Sequence, residues 1–161
     1  MGIAEGKVAT TAEAQRIAAM AGWRVTVDHV YSYLIALFFI GVLAQVFLAG
    51  VGVFGDHASQ VANASSLGPH RALGTVLGVV AVLLFLVALA ARINRSTVLG
   101  ALALGILTMA AQPILASGGD YNKWVGGLHA LDGMLILLLS LWLAAAAHRR
   151  ESARRRAAAS T

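Results

Sequence analysis

Two histidines, His70 and His129, each open a long apolar run, and each has a glycine four residues on, Gly74 and Gly133. Imidazole is the commonest metal ligand among side chains and changes charge near neutral pH. Each run follows another apolar run that carries a single glutamine. The two local sequences match: Ala44-Gln45-Val46-Phe47-Leu48-Ala49 and Ala111-Gln112-Pro113-Ile114-Leu115-Ala116. The chain reads as one hairpin of two spans, written twice. Such a duplication brings its two histidines face to face across a bundle, the arrangement in which membrane helices hold a flat, metal-bearing ring.

Residues i and i+4 share a helix face one turn apart. Gly74 and Gly133 therefore lie beneath the histidines, where a larger side chain would occupy the space a porphyrin needs. The expected chemistry is axial ligation of a haem b iron by His70 and His129. The stripes continue as Gly78 and Ala81 after Gly74, and as Ser140 and Ala144 after Gly133. Stripes of small residues are also the ordinary contact surface between membrane helices. Arg71 adjoins His70, while Lys123 and Trp124 precede His129. These either meet haem propionates or mark the membrane–water interface. Asp132 lies three residues after His129 on a similar face, where the first half has Leu73. A carboxylate in a span is costly and needs a partner. It either orients an imidazole, carries a proton, or pairs with Arg71. Gln45 and Gln112 border the same region, as glue between helices or as walls of a cofactor pocket. His29 and His148 lack glycines and the repeat relation, and His57 falls in a loop, so none of the three is an expected ligand.

These side chains need elements that place them at one depth. The chain has 161 residues, 59% hydrophobic and 12% charged. Soluble domains carry about 25% charged residues, so this is a membrane composition. Without cysteine, disulfides, thiolate metal sites, iron–sulfur clusters and c-type haem attachment are excluded. Four apolar runs, 30–54, 72–91, 98–116 and 125–147, each reach the ~20 residues that cross a ~30 Å hydrocarbon core as a helix. The expected fold is all-α: a transmembrane four-helix bundle of two repeated hairpins over 28–147, preceded by an N-terminal segment 1–27 and followed by a basic tail 148–161. Thr10-Thr11-Ala12-Glu13 resembles a capping box, so the first segment is either a short helix over about 12–21, resting on the membrane surface, or a frayed tail. Pro113 is expected to kink or end regular helix in the third span.

Ten of the 12 Lys and Arg residues lie in the N-terminal segment, the middle loop and the tail. Only Arg71 and Lys123 lie in the other two loops, which predicts both termini in the cytoplasm. The 149–156 arginine cluster reads as a contact with anionic lipid, or as a plain topology anchor, rather than as a nucleic-acid site.

Gln on a first span, His-x-x-x-Gly opening a second, Gln on a third and His opening a fourth resembles a four-helix half of haem A synthase. Four-helix b-type cytochromes of membranes share the layout. The resemblance covers roughly residues 40–147 and implies haem ligation by His70 and His129. It does not carry over the synthase reaction, because the sequence shows one four-helix unit; the acidic residue that the family uses on the first helix of its catalytic half also has no counterpart between Val46 and Phe54. In size the chain also resembles a family of small four-span bacterial membrane proteins of unknown function. The expected location is the inner membrane of a bacterial cell, with the lipid bilayer as the main partner. The expected role is electron transport, or sensing of redox state or haem. The alternatives are a cofactor-free accessory subunit of a membrane redox complex and, further off, a quinone-binding protein or small transporter using Asp132. No phosphate-binding loop, dinucleotide fingerprint or hydrolase triad is present, so the chain reads as a carrier or subunit rather than a stand-alone enzyme.

Overall fold

A computed structural model describes the backbone of residues 11–59 and 67–160, and the side chains of 20–54 and 67–160. The tail before Thr11, the loop over 60–66 and the His57 side chain lie outside these residues. The described residues form four helices long and apolar enough to cross a membrane, and no strand. We number them α1 (Thr11–Ser59), α2 (Gly68–Ala90), α3 (Arg95–Gly119) and α4 (Lys123–Ala159). Helix α1 is unbroken and takes in 12–21 within its first turns. No proline or glycine interrupts that stretch, and the glycine that follows it, Gly22, weakens a helix by only ~1 kcal/mol.

Each helix touches its two neighbours in an up-down-up-down square. No Cα of α1 comes within 8 Å of α3, and none of α2 within 8 Å of α4. The contacts along the edges of the square come from small residues. A Cβ on Gly119 would stand 3.0 Å from the Gly126 Cα, and one on Gly100 would stand 2.9 Å from the Trp142 ring. These close approaches hold α3 against α4. The outward faces carry Leu37, Phe47, Ile114 and Leu138, all more than half exposed. Lipid is as apolar as leucine, so such faces need no covering, and helix association rests on packing and hydrogen bonds instead.

Helix α3 changes pitch in its second half. Regular α-helix runs to Ile106, a π turn spans Leu107–Ala111, and α-helix resumes over Gln112–Gly119. The Gln112 N–H reaches back to the Leu107 carbonyl. Pro113 has no N–H and crowds the carbonyl four residues earlier. The wide turn directly before it absorbs that clash, so the helix is interrupted but not ended. Thr108, within this turn, donates its hydroxyl to the Leu104 carbonyl at 2.7 Å.

The two ends of the bundle differ. The core runs from the end with the chain termini up to Val42, Leu77, Thr108 and Asp132. Beyond that level only Gly52 is buried among the described residues. The opposite end closes with ion pairs. Asp28 accepts from Arg150 at 3.1 Å and from Arg154. Arg150 also reaches the Thr97 hydroxyl at 3.3 Å and lies over the Tyr31 ring at 5.6 Å. Three helices are thereby tied at one point, and His29 and Arg154 both meet Glu151 beside it. Helix α2 ends there in a Schellman motif, with Ile93 N–H on the Ala88 carbonyl and Arg92 N–H on the Leu89 carbonyl. The left-handed position of that motif, which favours glycine, is held by Arg92 at φ 52°.

The ion-pair knot makes a testable demand. Asp28→Asn removes the charge that two guanidiniums share, and hydrogen bonds to charged groups are worth about 1.5–3 kcal/mol. The variant is expected to melt several degrees lower in detergent, whereas Arg149→Gln, on an exposed arginine beside the knot, should melt with the native chain.

Candidate functional site

At the histidine end, the same pair of hydrogen bonds is made twice. The Gln45 side-chain amide donates to the His70 main-chain carbonyl at 2.8 Å, and the His70 Nδ1 stands 3.2 Å from the Gln45 main-chain carbonyl. The Gln112 amide donates to the His129 carbonyl at 3.1 Å, and the His129 Nδ1 stands 3.2 Å from the Gln112 carbonyl. Each glutamine and histidine thus exchange side chain for main chain across two adjacent helices. A carbonyl oxygen only accepts, so in both rings Nδ1 carries the hydrogen. In a neutral imidazole that leaves Nε2 with a free lone pair. Neither Nε2 has a hydrogen-bond partner among the described residues.

The two rings meet across the open diagonal between α2 and α4. Their centres are 6.3 Å apart and their planes are inclined by 77°. Both histidines are half-buried. No larger group of His, Cys, Asp or Glu able to hold a metal occurs among the described residues, so a metal here would take its protein ligands from this pair.

The glycines serve the glutamines. A Cβ on Gly74 would stand 2.9 Å from Gln45 Nε2, and one on Gly133 would stand 3.6 Å from Gln112 Nε2. The space above Gly74, expected to face a planar ligand, holds the Gln45 amide. That contact is what gives the +4 spacing a structural role here. Across from Gly133 the fit is looser, at ordinary contact distance.

Asp132 is buried, and its Oδ2 has no hydrogen-bond partner. Gln112 and His129 are its polar neighbours. It does not orient an imidazole, since the His129 Nδ1 is taken by a carbonyl. It does not pair with Arg71 either, which is exposed and makes no ion pair among the described residues. Gln45 Oε1 is likewise buried without a partner. Lys123 lies over the Trp124 ring at 5.8 Å, and both side chains are exposed, away from the histidines. His148 is exposed and His29 is paired with Glu151, so neither joins the pair at the other end.

Seven of the eight site residues expected from the sequence therefore gather at one end: His70, His129, Gln45, Gln112, Gly74, Gly133 and Asp132. Arg71 stays apart. The Asp28 knot was not anticipated. Its one signal was an acid placed directly before a span, a position where charge needs a partner.

Residues 45–119 match a family of unknown function, DUF6220. The match begins at Gln45 and takes in His70 and Gln112, but stops short of His129. No curated protein and no solved structure matches the chain. Neither a haem A synthase nor a cytochrome family is among the matches.

Two substitutions separate the roles of these residues. Gly74→Ala should displace the Gln45 amide and lose its bond to His70, worth about 0.6–1.7 kcal/mol between membrane helices. Gly133→Ala meets only ordinary contact and should leave melting unchanged or slightly raised. Asp132→Leu, which copies the first half's Leu73, removes a buried oxygen without a partner and should raise thermal stability by about 1–3 kcal/mol. A loss of stability in that variant would mean that Asp132 is satisfied in the membrane.

Proposed function

We propose that the protein is a multi-pass membrane protein that binds haem b through His70 and His129, one on each side of the iron. The observation that carries this reading is the spacing of the rings. An ion held between two imidazole nitrogens at about 2.0–2.1 Å each places the ring centres about 6.3–6.5 Å apart, and here they are 6.3 Å apart. Both rings present Nε2 as the free nitrogen, because Nδ1 is tied to a main-chain carbonyl; such bonds fix the tautomer and raise ligand basicity. Each ring plane can turn about its own metal–nitrogen axis, so the 77° inclination is compatible with this ligation. A porphyrin supplies four further nitrogens, and two histidines then complete the coordination.

When bound, such a group would supply one-electron transfer, with His70 and His129 as the residues that would hold it. Around it the chain's own residues set orientation and charge. Gln45 and Gln112 hold the main chain of each ligand, and Asp132 adds polar surface beside His129. The proposal includes a duplicated hairpin, with the two halves related by a two-fold axis along the membrane normal. It also includes termini in the cytoplasm and an inner-membrane location, on the distribution of Lys and Arg.

A second reading has its own support. The glutamine–histidine exchange is complete without a cofactor, and two rings inclined at 77° make a favourable edge-to-face contact by themselves. A cofactor-free subunit of a larger membrane complex would use the clamp as structure alone.

The deciding measurement is an absorption spectrum of protein purified from cells supplied with a haem precursor, before and after dithionite. The haem reading expects a Soret band and sharp reduced bands of a low-spin iron, lost in both His70→Ala and His129→Ala. Colourless protein that also fails to take up added haemin would overturn it. Colourless protein that co-purifies with a fixed partner would favour the subunit.

A further inference from the structure

The end of the bundle opposite the histidines holds a second polar site. A pocket of about 310 Å³ lies between the start of α1, the turn from α2 to α3, and the end of the membrane part of α4. Four arginines line it, Arg24, Arg92, Arg150 and Arg154, together with Asp28. Counting Glu151, which meets Arg154 beside it, four positive charges face two carboxylates, a surplus of two at an open depression. Asp28 already accepts from Arg150 and Arg154. Arg24 and Arg92 have no ion pair among the described residues.

Arg92 supplies a second, independent sign. It occupies the left-handed position that ends α2, at φ 52°. Glycine fits that conformation freely, whereas a residue with a Cβ is strained there. Such strain persists where the surroundings hold it, and it collects at binding sites. Here it sets a guanidinium on the rim of the pocket.

We infer that this pocket binds a phosphate-bearing anion, with Arg24 and Arg92 completing a set whose other members are Arg150 and Arg154. Planar guanidiniums match phosphate oxygens in pairs. The pocket opens where the apolar spans give way to charge, the depth of lipid headgroups. Val25, Ala91 and Ile93 supply apolar walls. An anionic phospholipid and free phosphate share the recognised chemistry, and the test separates them.

The full chain is purified in detergent as wild type, Arg24→Gln/Arg92→Gln, Arg92→Gly and Arg149→Gln. Retention of phosphatidylglycerol relative to phosphatidylcholine is read by native mass spectrometry, and inorganic phosphate is titrated by thermal shift. Each guanidinium beside an anionic headgroup is worth about fivefold, so the double variant is expected to lose about 25-fold in phosphatidylglycerol retention. Arg92→Gly is the internal check on folding: it relieves the strained backbone and should melt no lower than wild type, yet lose about fivefold in retention. Arg149→Gln, outside the pocket, should match wild type. Stabilisation by inorganic phosphate that the double variant abolishes, with equal lipid retention in both, assigns the site to a soluble phosphate. Equal response of wild type and pocket variants to both ligands overturns the inference. So does a loss in Arg149→Gln as large as in the double variant, which would trace binding to diffuse surface charge.

Discussion

Hydrocarbon offers no hydrogen-bond partners, so a polar group carried into a membrane must find its partner inside the protein. At the histidine end, that demand is met by an exchange made twice. A glutamine amide covers a histidine carbonyl on the next helix, and the imidazole returns a hydrogen bond to the glutamine carbonyl. Helical carbonyls already accept one bond and have a second lone pair free. The exchange uses that spare capacity, so no backbone bond is broken. It sets the distance between α1 and α2 and between α3 and α4, selects the tautomer of both rings, and requires a small residue at Gly74.

The rest of the bundle divides along its length. The middle is apolar, with small residues such as Ala81, Ala88, Ala101 and Ala147 among the larger Ile35, Phe38, Leu84 and Leu104. Close approach there depends on shape, because lipid competes equally for apolar surface. At the end with the termini, ions take over. Arg150 binds Asp28 and Thr97 and lies on Tyr31, joining α4 to both α1 and α3. Among the described residues, the histidine end is held by the paired polar contacts, one ring contact and the close approach of Gly119 to Gly126. The proposed haem would lie between α2 and α4 at the histidine end.

Much of the site was legible before any coordinates, for reasons of period and composition. Four apolar runs of sufficient length could only be helices, and helices α2 and α4 had to run the same way. His70 and His129 therefore had to share a depth. The purpose of Gly74 was not legible. Spacing says that residues i and i+4 share a face, but not what lies against it, and here it is the Gln45 amide. Pro113 was readable as an interruption; that it would produce a π turn with helix resuming beyond depended on the packing of α3. The arginines of the tail looked like a uniform anchor. Two of them pair with Asp28, some 120 residues away in sequence, and no local pattern carries that information.

The sequence by itself determined four membrane-crossing helices, their alternating direction and the common level of the two histidines. These follow from hydropathy over about 20 residues and from the rise of a helix. Only the tertiary structure decided which helices are neighbours, which ring nitrogens stay free and how far apart the rings stand. Those quantities depend on the rotation of each helix about its axis. In lipid, that rotation is set by interhelical packing and hydrogen bonds rather than by hydrophobic periodicity.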